Sequence, residues 1–198
     1  MTREIEIRLS GSGGQGLILS AKMLSAALAA EGLNVAQSQS YEPTSRGGLS
    51  RSDLVVSDGE VDYPLVTALD YLVILDQVAV SASTSILKPD AVVIIDSGRV
   101  ESPPRGTFSC YSFPLTEIAR KAGSSRVANI VALGAMIGVG GPCGRESVAQ
   151  AVADKAPRGF RDLNVKAFAE GLRLGEDMAA GSELQNRSAP NRPVGNPG

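Results

Sequence analysis

Apolar and polar positions alternate at the start of the chain. Ile5, Ile7 and Leu9 fall on one side, and Glu4, Glu6 and Arg8 on the other. A period of two predicts a strand over 4–9 with one drier face. The strand runs into Gly11-Ser12-Gly13-Gly14-Gln15-Gly16, after which Leu17, Ala21, Leu24 and Leu28 recur at the spacing of a helix packed on one face. Gly32 supplies a stop, and residues 34–37 read as a second short strand. Strand, glycine-rich turn, helix, strand is a βαβ unit, for which parallel strands and a right-handed crossover are expected. Residues 38–50 then form a polar loop, longer than most connections in a compact domain.

Strand character resumes over 52–56, Asp58-Gly59 signals a turn, and 61–64 predicts a short hairpin return. Two unalternating apolar runs, 71–75 and 91–95, lead into Asp76 and Asp96 and suit central strands covered on both faces. A further strand is expected over 107–113. Beyond Pro114 the pattern turns helical: Thr116 caps a helix to residue 122, a Gly/Ala-rich helix spans 127–139, an amphipathic one 146–155, and a fourth 164–180. From Gly181 on, Ser, Asn, Pro and Gly dominate, predicting a tail over 181–198 that is disordered or wraps a partner. The sum is one α/β domain over 1–180: a three-layer fold with a mostly parallel sheet and helices concentrated in the C-terminal half.

Composition narrows the chemistry. The 198 residues carry 19 Lys+Arg against 21 Asp+Glu, a net charge of −2 that lacks the basic excess of a nucleic-acid binder. There is no His, and the two cysteines, Cys110 and Cys143, form no CxxC. A His-dependent triad, a His-ligated metal and an all-Cys iron–sulfur cluster are therefore excluded within this chain. The N-terminus has no apolar core of a signal peptide and the longest apolar stretch is too short to span a bilayer, so a cytoplasmic protein without membrane contact is expected.

Two loops carry candidate chemistry. The GxGxxG of Gly11 to Gly16, placed between a strand and a helix, lets the backbone approach a ligand and presents free N–H groups to an anion. The same glycines would also serve tight strand–helix packing alone. A dinucleotide enzyme should place an acid at the end of the next strand, but that region reads Ala36-Gln37-Ser38-Gln39-Ser40. The second loop, Ser40-Tyr41-Glu42-Pro43-Thr44-Ser45-Arg46-Gly47-Gly48, joins an Arg suited to phosphate or carboxylate with a Gly pair that permits close approach. It also fits a plain solvated loop. Following successive parallel strands, the two loops should emerge at one carboxyl edge of the sheet, where open α/β folds bind ligands. Asp76 and Asp96 should lie at that edge, with turn capping the simpler role for each. Asn129 reads equally as structural or site-lining, and Arg158 and Arg161 flank an exposed loop that is solvated or faces an acidic patch on a partner subunit. Ala132, Gly134, Ala135 and Gly138 suggest close helix packing, with a subunit contact as the alternative.

A GxGGQG loop opening a helix, then Ser-Tyr and Arg-Gly-Gly leading into a strand, resembles the gamma subunit of the 2-oxoacid:ferredoxin oxidoreductases. That family includes the pyruvate, 2-oxoglutarate, ketoisovalerate and indolepyruvate enzymes. The resemblance extends through Ser57-Asp58 and Asn129 with Leu133-Gly134. It implies a Rossmann-like α/β fold and a non-catalytic subunit of a complex converting a 2-oxoacid, here 2-oxoglutarate or pyruvate, coenzyme A and oxidised ferredoxin into acyl-CoA, CO2 and reduced ferredoxin. Thiamine diphosphate, Mg and iron–sulfur clusters would sit on partner alpha, beta or delta subunits, with coenzyme A at the interface. The matching positions, and so the implied coenzyme-contacting residues, are Gly11, Gly13, Gly14, Gln15, Gly16, Ser40, Tyr41, Arg46, Gly47 and Gly48. Where the family often reads Tyr-Gly-Pro-Glu, this chain has Tyr41-Glu42-Pro43-Thr44, so the loop carboxylate is displaced. Other readings of the residues are a stand-alone nucleotide-binding oxidoreductase or regulatory module, and a purely structural scaffold.

On this reading Arg46→Ala raises the coenzyme A concentration that the complex requires and leaves assembly intact. A coenzyme A titration of the variant complex checks this; unchanged kinetics count against a role for Arg46.

Overall fold

The computed structural model describes residues 4–42, 47–61 and 63–188, with side chains described as far as Gly181. Six strands form one sheet: β1 (Glu4–Ser12), β2 (Asn34–Tyr41), β3 (Leu49–Ser57), β4 (Leu69–Ile74), β5 (Leu87–Asp96) and β6 (Ser109–Phe113). The helices are α1 (Leu17–Ala30), α2 (Ser81–Thr84), α3 (Leu115–Ala122), α4 (Ala128–Gly138), α5 (Arg145–Lys155) and α6 (Arg161–Ser188). The strand order is β2-β3-β1-β4-β5-β6. β1, β4, β5 and β6 pair in parallel, whereas β3 runs antiparallel to both its neighbours.

The expected Rossmann-like α/β architecture is present, with one change to its opening unit. β2 does not pair with β1, because β3 lies between them, in register from Glu4 opposite Ser57 to Ser12 opposite Leu49. β2 also runs on to Tyr41 and pairs with β3 as a hairpin, with Glu42 N–H donating to the Leu49 carbonyl at 2.9 Å. Of the long polar loop expected over 38–50, residues 38–41 and 49–50 are thus strand. Its alternating small polar residues suit an edge strand, where one side of the backbone is left to solvent. No strand follows at 61–64 among the described residues, and the hairpin expected there is absent. Asp58-Gly59 does turn, with Gly59 N–H donating to Ser57 Oγ at 3.0 Å.

Helices α1 and α3 to α6 all cover one face of the sheet, over Ile5, Ile7, Leu9, Val73 and Ile94. There α4 and α6 touch backbone to backbone. A Cβ on Gly134 would strike the Phe168 carbonyl oxygen, and one on Gly171 the carbonyl oxygen of Val131. The small residues of α4 therefore serve helix packing. Gly32, at φ 86°, ends α1 as expected. Thr116 lies inside the first turn of α3, beyond Pro114, and does not cap it. Instead its N–H and hydroxyl both donate to Asp96. Helix α6 continues past Gly181 to Ser188, and the remainder of the expected tail, 189–198, lies outside the described residues.

The opposite face is covered by the connection from β3 to β4, by α2, and by a smaller cluster of Leu69, Leu72, Ile74, Ala79, Val93, Ile95 and Val100. That cover changes the reading of β1. Glu6 and Arg8, expected on a wetter side, are 6% and 4% exposed. Glu6 accepts the N–H groups of Thr67 and Ala68. Arg8 faces Asp53 across the β1–β3 ladder and binds it through two parallel bonds of 2.8 Å, with Nη1 donating to the Ala82 carbonyl and Ser83 Oγ. Central position thus outweighs alternation: each buried charge is retained because it has a complete set of partners.

Removing one member of this pair leaves a buried charge unmatched, so Asp53→Ala should cost ~3–5 kcal/mol. Replacing both as Arg8→Met with Asp53→Leu should recover most of that loss. Denaturant titration of the three proteins checks the order, and a double variant no better than Asp53→Ala contradicts it.

Candidate functional site

The carboxyl ends of β1, β4 and β5 bring three helix starts together. β1 ends at Ser12 and the chain turns through Gly13 and Gly14 into α1, with Gly14 at φ 89° and Gly16 at φ 74°. Only glycine enters these left-handed conformations freely. Gly16 is the residue before α1 and a Cβ there would meet Asn129 Nδ2 at 2.6 Å. The turn is pinned to the neighbouring loop, since Gly13 N–H donates to the Gly48 carbonyl at 3.1 Å. The two glycine-bearing loops therefore meet at one sheet edge, as the strand pattern predicts.

The free donors are fewer than four consecutive loop amides. Gly13 N–H goes to Gly48, and Gln15 N–H reaches the Ser12 carbonyl at 3.4 Å. The N–H groups of Leu17 and Ile18, in the first turn of α1, have no carbonyl four residues back within the helix. With Gly14 and Gly16 they form the N-terminal end of α1, where the helix dipole favours negative charge.

Gln15 does something other than contact a ligand directly. Its Oε1 accepts Ser12 N–H at 2.7 Å and its Nε2 donates to the Leu75 carbonyl at 3.0 Å. Ser40 and Tyr41 lie on β2, opposite Arg51 and Ser50, with β3 between them and β1. Tyr41 is 69% exposed and stands roughly 10 Å from β1 by strand spacing. The structure thus brings Gly13, Gly14, Gly16 and Gly48 together, and sets Ser40 and Tyr41 apart. Arg46 lies outside the described residues.

Two cavities flank Gly14. One, of about 270 Å³, is lined by Gly14, Gly16, Arg126 and Asn129 beside Leu19, Val127, Pro157, Phe160 and Asn164. The other, of about 170 Å³, is lined by Gly14, Gln15, Leu75, Arg99, Thr116, Ser125, Arg126 and Ala128. A larger open groove of about 780 Å³ runs along α1 and β2 but includes none of the loop glycines. Arg99 lies 3.7 Å from Asp76, whose carboxylate also accepts Ser12 Oγ–H at 3.3 Å. Arg126 has no carboxylate within ion-pair distance among the described residues. The edge thus carries an uncompensated guanidinium next to a helix start. Asn129 Nδ2 donates to the Gly16 carbonyl at 2.9 Å and Ser20 Oγ at 2.8 Å, while its buried Oδ1 has no partner.

Asp96, by contrast, is fully buried and satisfied by Gly98 and Thr116, which is the capping role. Sequence reasoning passed over Arg99 and Arg126. Arg126 and Asn129, three residues apart at the start of a helix, share a face and were the available signal. Phe160, just before α6, and Asn164 reach the site because α6 packs along α4. Neither thiol is poised for nucleophilic work: burial raises the Cys110 pKa, and burial with the charge of Glu31 pushes Cys143 up to about 12. Among the described residues no group of three or more Cys, Asp or Glu is placed to hold a metal ion, and no helix is long and apolar enough to cross a membrane.

A sequence profile of the family described as "Pyruvate ferredoxin/flavodoxin oxidoreductase" matches residues 6–174. The 2-oxoglutarate synthase subunit KorC of Methanocaldococcus jannaschii is 37% identical over 177 residues, covering 87% of this chain and 95% of that protein. The keto/oxoacid ferredoxin oxidoreductase gamma subunit from Geobacter sulfurreducens superposes with a TM-score of 0.80 at 39% identity, over 88% of this chain and 98% of that one. The same fold occurs within a longer chain of the 2-oxoglutarate:ferredoxin oxidoreductase from Magnetococcus marinus, solved with 2-oxoglutarate, coenzyme A and succinyl-CoA bound. There the TM-score is 0.78 at 23% identity, over 88% of this chain and 31% of that one.

Proposed function

Since the chain belongs to the pyruvate ferredoxin/flavodoxin oxidoreductase family, we propose that it is the non-catalytic gamma subunit of a 2-oxoglutarate:ferredoxin oxidoreductase and holds part of coenzyme A. The observation that carries this reading is the meeting of the two glycine loops, through Gly13 and Gly48, beside the N-terminal end of α1 and the Arg126 guanidinium. Coenzyme A is a phosphorylated thioester carrier, and its phosphates fit N–H groups and a guanidinium better than any uncharged group would. The half-exposed Phe160 supplies an apolar wall in the same cavity. The choice of 2-oxoglutarate rests on the KorC relative.

The division of labour follows from the side chains available. Thiamine diphosphate with Mg, and iron–sulfur clusters, supply decarboxylation and electron transfer on partner alpha, beta or delta subunits. This chain binds and orients: the amides of Gly14, Gly16, Leu17 and Ile18 hold a phosphate, Arg126 adds charge, and Gly48 ties the second loop to the turn. Positioning of this kind acts on binding and leaves the bond-making groups untouched.

Arg126→Ala should raise the KM for coenzyme A of the purified complex roughly tenfold, the loss of one charge-assisted contact. The KM for 2-oxoglutarate and kcat at saturating coenzyme A should stay near the parent values. Steady-state titration of both substrates checks this, and a KM shift confined to the 2-oxoacid would overturn the reading.

A further inference from the structure

Resting on the coenzyme A reading, we infer that Gln15 is a positioning residue that splices its carboxamide into the β1–β4 ladder, holding the strands apart so that the α1 end is open to the ligand. The ladder itself shows where the splice falls. Ser10 is in register with Ile74, and Leu75 N–H donates to the Ser10 carbonyl at 2.9 Å. In an evenly spaced parallel ladder the next rung joins Ser12 N–H to the Leu75 carbonyl. That rung is missing. Ser12 N–H instead donates to Gln15 Oε1 at 2.7 Å, and Gln15 Nε2 donates to that same Leu75 carbonyl at 3.0 Å. The side-chain amide, with one donor and one acceptor, stands in for a peptide group between the strands.

The surroundings are fitted to this insertion. A Cβ on Gly11 would collide with Gln15 Oε1 and press on Leu75 Cβ at 3.2 Å, so only glycine leaves the room. On its other side β1 stays paired with β3 as far as Ser12. The strands therefore part only between β1 and β4, beside the cavity that Gln15 itself lines with Leu75 and Arg99. Without the carboxamide, Ser12 N–H and the Leu75 carbonyl can pair directly. The hydrogen-bond count is then nearly preserved while the loop shifts toward β4, which separates a positioning role from a merely structural one.

The test uses the intact complex. Gln15→Ala should raise the KM for coenzyme A about tenfold or more, with kcat, the KM for the 2-oxoacid and the thermal midpoint close to the parent. Gln15→Glu should show the same defect at neutral pH, because a carboxylate cannot donate to the Leu75 carbonyl. Its KM should fall back toward the parent as pH is lowered, since the protonated acid again has one donor and one acceptor. A lowered thermal midpoint with an unchanged KM for coenzyme A, or a Gln15→Glu defect indifferent to pH, overturns the inference. Arg126→Ala, measured alongside, keeps the two failures apart. If it raises the KM for coenzyme A and Gln15→Ala does not, only the positioning role fails; if neither does, the coenzyme A reading fails.

Discussion

The parting of β1 from β4 after Ser10 is the constraint on which the rest of the site depends. A parallel sheet whose ladder closed fully to Leu75 would draw the glycine turn against its neighbour. The crevice at which the strand order changes direction would then be filled by backbone. One carboxamide prevents this, and it can do so because Gly11 has no side chain. From that gap the other features follow in sequence. The turn enters left-handed conformations at Gly14 and Gly16, α1 begins with its donors facing outward, and Asn129 ties that first turn to the start of α4.

Charge is distributed to suit this opening. Buried Glu6, Arg8 and Asp53 are matched within the protein on the face covered by α2 and the β3–β4 connection, and buried Asp96 is matched by Gly98 and Thr116. At the carboxyl edge the balance is left incomplete. Arg99 is shared with Asp76, and among the described residues Arg126 has no acid within ion-pair distance, beside helix ends that add their own positive potential. On the proposed reading this surplus serves an anionic carrier, and bond-making falls to other chains.

The fold was legible in the sequence where the pattern was local. The strand leading into the glycine turn, the α1 stripe, the two apolar central strands and the Gly/Ala-rich α4 all stand where periodicity places them. What depended on pairing was not legible. The small polar residues of β2 look like loop until β3 supplies the partner backbone, and β3 inserts beside β1 because of a hairpin that no short-range signal announces. Glu6 and Arg8 look solvated by alternation, and are buried because distant residues, Thr67, Ala68 and Asp53, complete their bonds. At the site, the glycines and their meeting with Gly48 follow from strand order alone. The role of Gln15 does not, since it rests on Leu75, sixty residues away in the chain. Arg126, Phe160 and Asn164 likewise join the site only through the packing of α4 and α6.

Hydrogen–deuterium exchange of the intact complex, with and without coenzyme A, tests the central claim most directly. The account predicts that coenzyme A slows exchange in the segment from Gly14 to Ile18, where the unpaired amides of the turn and of the first turn of α1 lie. Exchange there unchanged by saturating coenzyme A, with protection confined to partner subunits, would contradict it.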